Sequence, residues 1–178
     1  MMRLIKKIVG SLIRIGYRCI YRIIPVDPNM VLFISFHGRG YSDNPRAIYE
    51  AMRQDERFRD HTFLWAIKHH KKKGIGIEGA RVIEYLSLPY FFYLSRAKYW
   101  IFNCKMPDYI RKKDEQIYLQ TWHGTPLKRL AHDIHVAEDT TFYRSRMSAE
   151  EMYRSYDVDV ARYNYMISPN RFCTEVFQ

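Results

Sequence analysis

The sequence predicts an α/β fold: a Rossmann-like, mostly parallel sheet with helices on both faces, preceded by an amphipathic helix. Three observations carry this. The continuous apolar run Met30-Val31-Leu32-Phe33-Ile34-Ser35-Phe36 has the pattern of a strand buried on both faces of a parallel sheet. Similar runs recur and alternate with helical segments, as strands joined by crossover helices do. Apolar residues make up 47% of the chain and aromatics 16%, enough for a core rich in side chains that favour a pleated surface. The same composition excludes disordered, collagen-like and mucin-like chains. At roughly 150 residues per domain, the 178 residues make one domain.

Residues 1–24 read as a basic amphipathic helix. At about 100° per residue, Arg3, Lys7, Arg14, Arg18 and Arg22 share one arc, while Ile5, Ile8, Val9, Leu12, Ile15, Cys19, Ile20 and Ile23 fill much of the other side. The arginines exclude a transmembrane span, since each costs about 2.5–3.5 kcal/mol at a bilayer centre. The uninterrupted apolar core and cleavage site of a signal peptide are also missing. Two placements remain: on an anionic membrane surface, where each cation contributes about 1 kcal/mol, or with the apolar side packed on the chain's own core. Pro25-Val26-Asp27-Pro28 stops the helix, so residues 25–29 are expected to be a linker and residues 30–178 the domain.

After the strand at 30–36, the loop His37-Gly38-Arg39-Gly40-Tyr41-Ser42-Asp43-Asn44 leads to a helix over 45–53. Strands follow at 61–67 and 81–85, a helix at 88–97, and strands at 99–103, 116–122 and 163–168. Ser168 is the expected N-cap, and Pro169 the first residue, of a final helix. That helix stops without a C-terminal signal, so the sequence is expected to be the first part of a longer protein. Ligands of such sheets gather at the strands' carboxyl ends.

The chain carries 29 Lys+Arg against 19 Asp+Glu, a formal charge of +10. That charge suits an anionic membrane or an anionic substrate. A nucleic-acid partner is not expected, because no recognised binding motif is present and the basic residues cluster in the first helix. Cys19, Cys104 and Cys173 are odd in number and widely spaced, which fits a reducing cytosol.

Several short patterns carry little chemistry. Gly38-Arg39-Gly40 lacks the third glycine of a dinucleotide fingerprint and reads as a β-to-α turn. His69-His70-Lys71-Lys72-Lys73 reads as a solvated loop, and Asp157-Val158-Asp159 as an exposed acidic turn. His132 and His135 lack a third ligand, so no metal is expected. The segment Gln120-Thr121-Trp122-His123-Gly124-Thr125-Pro126-Leu127-Lys128 differs. It places a histidine at a strand's carboxyl end, a permissive glycine behind it, and Thr125 as N-cap with Pro126 opening a helix. The helix N-terminus, Thr125 and Lys128 would then form an anion site beside a general base, His123.

This segment resembles the hallmark of the CDP-glycerol glycerophosphotransferase family, which primes and polymerises teichoic acids. Tyr41-Ser42-Asp43-Asn44-Pro45-Arg46-Ala47-Ile48-Tyr49-Glu50, Ala97-Lys98-Tyr99-Trp100-Ile101-Phe102-Asn103 with Pro107-Asp108-Tyr109, and Ile167-Ser168-Pro169-Asn170 with Thr174-Glu175 are similar to further family segments. The resemblance implies a GT-B-like enzyme of two Rossmann-type domains, of which this chain is the N-terminal, acceptor-side one. It implies His123 as catalytic base and Trp122, Gly124, Thr125, Lys128, Asp43, Asn44 and Asn103 as substrate-binding residues. The implied partners are a CDP-glycerol donor, an anionic polyglycerol-phosphate or polyprenyl-linked acceptor, and the cytoplasmic face of the membrane, with no cofactor. Competing expectations are a nucleotide-sugar or ribitol-phosphate transferase of similar architecture, or a non-catalytic fragment of a split gene.

Overall fold

The computed structural model describes residues 2–71, 73–126, 129–134 and 147–177, with side chains from residue 11 onward apart from Leu12 and Ile20. Six strands, β1 (Asp27–Ile34), β2 (Thr62–Ile67), β3 (Arg81–Glu84), β4 (Ala97–Phe102), β5 (Ile117–Gln120) and β6 (Tyr165–Met166), form one sheet in the order β3-β2-β1-β4-β5-β6. Every pairing is parallel. The expected α/β class is therefore realised, and the order reverses between β1 and β4, the place where doubly wound sheets open a ligand crevice.

Strand alternation divides the core into two layers. Leu32, Ile34, Leu64, Ala66, Trp100, Phe102 and Tyr118 point to one face, beneath Tyr90, Phe91 and Leu94 of α3 (Leu88–Arg96) and Tyr17 of α1 (Met2–Ile23). Val31, Phe33, Phe63, Trp65, Ile67 and Ile101 point to the other, beneath Tyr49 of α2 (Asp43–Gln54). Phe33 stacks on Trp65 with ring centroids 5.2 Å apart, and Tyr49 meets both rings edge-on. Ser87 caps α3 by accepting from the Tyr90 N–H.

Two element ends and one helix depart from expectation. β1 begins at Asp27, so residues 27–29 belong to the sheet and not to a linker. Asp27 pairs with Ala97 across the ladder, and its carboxylate lies 3.0 Å from the Arg96 guanidinium, which offsets the lost flexibility. The last helix, α5 (Arg171–Val176), is capped by Asn170, whose side chain accepts from the Cys173 N–H. Ser168 instead donates to the Asn170 carbonyl and accepts from Thr174, so Pro169 lies outside the helix. A further helix, α4 (Ala149–Val160), opens with a reciprocal capping box between Ser148 and Glu151. It carries the Asp157-Val158-Asp159 segment, which is therefore no exposed turn: Asp159 is buried.

Helix α1 is not a detached element. Tyr17 is buried, its hydroxyl donating to the Arg111 carbonyl at 2.7 Å, and the Tyr21 hydroxyl donates to the Lys112 carbonyl at 3.0 Å. Tyr17 also meets Phe91 of α3 at 5.4 Å. At about 100° per residue, Ile13, Tyr17, Tyr21 and Ile24 define the docked face, and Arg14, Arg18 and Arg22 an adjoining basic one. Ile15, Cys19 and Ile23 of the apolar side lie on neither and are exposed, Ile23 at 78%. The helix thus packs through its tyrosines and leaves apolar and basic faces free. No described helix is long and apolar enough to cross a membrane.

Candidate active site

Loops from the carboxyl ends of β1, β4 and β5 meet at the switch point. After β1 three successive residues take left-handed backbone: Phe36 (φ 44°), His37 (φ 56°) and Gly38 (φ 77°). Left-handed backbone at a non-glycine residue costs on the order of 1–3 kcal/mol and persists only where its surroundings over-determine it. They do so here. The Phe36 N–H donates to Asn103 Oδ1 at 2.8 Å, the His37 N–H to Cys104 Sγ at 3.2 Å, and the Lys68 N–H to the Gly38 carbonyl at 2.7 Å.

Gly38 is the residue this path requires. A Cβ there would lie 2.9 Å from Tyr85 Cβ and Cγ and 3.1 Å from the Ala66 carbonyl oxygen. Gly38→Ala is therefore expected to destabilise the chain by about 1–3 kcal/mol, from left-handed strain plus overpacking, read as a lower urea midpoint at unchanged m-value. Gly40→Ala, with nothing within 4 Å of its added Cβ, is the control with little effect.

The β5 loop is held by similar means. Asn44, at the start of α2, donates from Nδ2 to the carbonyls of Thr121 (3.0 Å) and Trp122 (3.3 Å). The Thr121 N–H donates to the Phe102 carbonyl at 2.8 Å, and Trp122 takes a left-handed φ of 54°. His123 is thereby presented, exposed, between two rings: Phe36 edge-on at 5.3 Å and Trp122 tilted at 5.2 Å. Phe177 at the end of α5 packs on the far side of Trp122 at 5.1 Å.

The residues expected around His123 divide into two groups. Trp122, Gly124 and Thr125 lie with it on the β5 loop. Asp43, Asn44 and Asn103 form the frame beneath: Asn103 is fully buried, and its amide is committed to the Phe36 N–H, Ser35 Oγ and Asp43 Oδ2 (2.5 Å). Asp43 and Asn44 are exposed, Asp43 accepting from Asn103 and Asn44 donating to the β5 loop. Lys128 lies outside the described residues, as does His135.

The helix expected to open at Thr125-Pro126 runs into residues 127–128, which lie outside the described residues. On either side of them Pro126 is buried, Leu130 is extended (φ −125°, ψ 156°), and a 3-10 turn follows at Ala131–Asp133.

A cavity of about 890 Å³ opens in front of His123, within the range of small-molecule sites. His37, Arg39, Lys105, Trp122 and His132 join His123 in its lining. His37 was overlooked in the sequence as part of a polar turn; the only signal was its place directly after the first strand. Burial, then Lys68, Arg39 and His123, push its pKa down, so it is neutral at pH 7. Lys105 is half-buried, donates to Ser155 Oγ at 2.5 Å and sits 4.3 Å from the Tyr156 ring centroid, and burial lowers its pKa. His132 is engaged by Asp157 Oδ1 at 2.7 Å and stacked on Tyr153 at 4.8 Å. In the loop after β2, His70 Nδ1 lies 3.3 Å from Glu84, and Lys73 donates to the Arg39 carbonyl.

Asp159, also in the lining, forms a buried pair with Arg162 at 2.5 Å. Arg162 also donates to the carbonyls of Met106, Pro107 and Ile110, and Tyr163 donates to Asp159. Burial pushes the Asp159 carboxyl up, against the pull of Tyr163, Arg162 and the Met106 N–H.

An exposed histidine in a switch-point cavity whose lining carries Arg39 and Lys105 as well as Asp133, Asp157 and Asp159 defines a doubly wound α/β domain with its candidate site at the strands' carboxyl ends. The chain belongs to the CDP-glycerol:poly(glycerophosphate) glycerophosphotransferase family, whose profile matches residues 17–178. It is 33% identical over 182 residues to a teichoic acid poly(glycerol phosphate) polymerase of Bacillus spizizenii, covering 99% of this chain and 44% of that protein. A teichoic acid glycerol-phosphate transferase of Staphylococcus aureus is 31% identical over 181 residues, with 98% and 43% covered. A structure of the wall teichoic acid polymerase TagF, from a variant soaked with CDPG, superposes with a TM-score of 0.83 at 33% identity, covering 99% of this chain and 42% of that one. The chain spans less than half the length of these relatives.

Proposed function

We propose that this chain is the acceptor-side domain of a GT-B-like CDP-glycerol glycerophosphotransferase of wall teichoic acid synthesis. The observation that carries the reading is His123, exposed on a loop fixed by Asn44 in a cavity whose lining includes Arg39 and Lys105. An acceptor hydroxyl attacks the glycerol-bearing phosphorus of CDP-glycerol, His123 takes the hydroxyl proton, and CMP departs. Histidine's ordinary pKa near 6.5 suits that role at neutral pH. Phosphoryl transfer depends mainly on positioning and charge stabilisation, which Arg39 and Lys105 are placed to supply. The donor agrees with the CDPG-soaked relative; the acceptor is an anionic polyglycerol-phosphate or polyprenyl-linked chain. The test is CMP release from CDP-glycerol with lipid-linked acceptor, comparing this chain with the full-length reading frame. Acceptor-dependent CMP from the longer protein is expected; none from CDP-glycerol, with turnover of another nucleotide donor, would overturn the reading.

The second part of the proposal places the protein peripherally on the cytoplasmic face of the membrane through α1. Arg3 and Lys7 share the basic arc in sequence, and the exposed side chains of Ile15, Ile23, Arg14, Arg18 and Arg22 support a helix that lies in an interface while its tyrosines hold the domain. Arg14 also sits over the Tyr109 ring at 5.3 Å, so Arg18→Glu/Arg22→Glu is the cleaner test. Each cation near an anionic surface is worth about 1 kcal/mol, so the double reversal should weaken binding to phosphatidylglycerol vesicles at least about 30-fold. The thermal midpoint should stay unchanged. Undiminished co-sedimentation would rule the assignment out.

A further inference from the structure

We propose that His37 is a second functional histidine of this cavity, a ligand-binding residue whose ring donates a hydrogen bond to a phosphate oxygen of the acceptor, next to the hydroxyl that His123 deprotonates. It rests on the proposed transferase reading for the identity of the ligand.

The backbone argument comes first. His37 stands in the middle of the left-handed stretch from Phe36 to Gly38, and an ordinary β-to-α turn does not require a non-glycine residue there. Two neighbours of β4 are spent on holding it: buried Asn103 accepts from the Phe36 N–H and Cys104 Sγ from the His37 N–H. Gly38, wedged against Tyr85 and Ala66, fixes the path behind it. The result is a half-buried imidazole in the wall of the cavity that holds His123, with Phe36 filling the corner edge-on to the His123 ring. Among the described residues neither ring nitrogen of His37 has a protein hydrogen-bond partner.

Electrostatics then selects the ligand. Lys68 and Arg39 act on His37 as cations, and Asp159 as a carboxylate. Burial first, and then those cations, favour the neutral ring, which has one N–H donor and one acceptor nitrogen. The same cations attract an anion to that wall, and a phosphate oxygen is an acceptor that the N–H satisfies. A glycerol phosphate end carries both groups the two histidines need, a phosphate for His37 and a hydroxyl for His123.

The test uses the imidazole resonances of the chain, titrated with sn-glycerol 3-phosphate, inorganic phosphate and glycerol in turn. Glycerol 3-phosphate should move the ring signals of both His37 and His123 and raise the titration midpoint of His37, because a bound anion favours the imidazolium. Inorganic phosphate should move His37 more weakly, and glycerol should leave it unmoved. His37→Ala should weaken glycerol 3-phosphate binding roughly 10- to 100-fold, the size of a hydrogen bond to a charged partner, while His37→Gln, which keeps a donor, stays within about threefold. His37→Asn guards against misfolding, since Asn accepts left-handed backbone but its amide is too short to reach; it should melt like the wild type and bind like the alanine variant. No binding by the wild-type chain, equal affinity of wild type and His37→Ala, or shifts at His123 alone would each overturn the proposal. A separate failure of the longer protein to turn over CDP-glycerol would overturn the transferase reading and leave this binding result standing.

Discussion

His123→Ala in the complete enzyme is expected to lower kcat by about 10²–10⁴-fold, the contribution of a positioned general base. The substitution removes the group that takes the proton while leaving what holds the loop: the Asn44 hydrogen bonds to Thr121 and Trp122 and the Thr121 bond to Phe102 use backbone atoms only. Because the ring is exposed, thermal stability should change little. KM for CDP-glycerol should move less than kcat, since the lost interaction is made mainly in the transition state. His132→Ala is the comparison, because that ring is engaged by Asp157 and Tyr153 and its loss should cost well under tenfold. Activity should also survive a chelator, as no step of the proposed transfer uses a metal. Turnover within a few-fold of wild type in a correctly folded His123→Ala protein would remove the base from His123.

The centre of the sheet was legible because β1 and β2 are buried along most of their length, so each appears as a continuous apolar run whose length and flanking turns mark it. That pattern gave strands at 61–67 and 99–103, against Thr62–Ile67 and Ala97–Phe102 in the structure. The ends were less legible, since they depend on partners remote in sequence: Asp27 joins β1 because Ala97 and Arg96 meet it, and nothing local announces this. One cap signal misled in the same way: Ser168-Pro169 has the form of a helix start, yet Asn170 is the cap. The converse case is α4, whose Ser148-x-x-Glu151 box was present in the sequence and passed over.

At the site, the motif around His123 placed that histidine at a strand's carboxyl end but did not show its surroundings. Only three-dimensional contact shows that Asn103 holds the Phe36 N–H and Asp43, and that Asn44 holds the carbonyls of the β5 loop. Helix α1 shows the limit of periodicity from another side. Its apolar arc was visible, but the docked face is set by Tyr17 and Tyr21, residues amphipathic enough to bury a ring and still satisfy a hydroxyl on the 111–112 backbone. The docked face thus settles only that the helix packs on the domain, and Ile15, Cys19 and Ile23 of the apolar arc stay exposed.

Asp159→Ala is expected to cost about 3–5 kcal/mol of folding stability, the penalty for leaving a buried partner charge uncompensated. The carboxylate accepts from Arg162 Nη2, the Tyr163 hydroxyl and the Met106 N–H, so its removal strands three donors at once. Burying the pair is itself expensive, and in many proteins such pairs are replaceable by apolar side chains at little cost. That escape is closed here. Arg162 also serves the carbonyls of Met106, Pro107 and Ile110, so Asp159→Ala/Arg162→Met would trade an unpaired charge for two buried carbonyls without donors, those of Met106 and Ile110, while Pro107 keeps the Ile110 N–H. Both variants should therefore unfold at lower urea than wild type, with the double variant recovering only part of the loss, and Asp159→Asn, which keeps an acceptor, falling between. The damage should reach the site, because the segment from Asn103 to Ile110 carries Lys105 and Cys104 on the cavity wall. A double variant as stable as wild type would show that the pair contributes no more than apolar packing of the same volume.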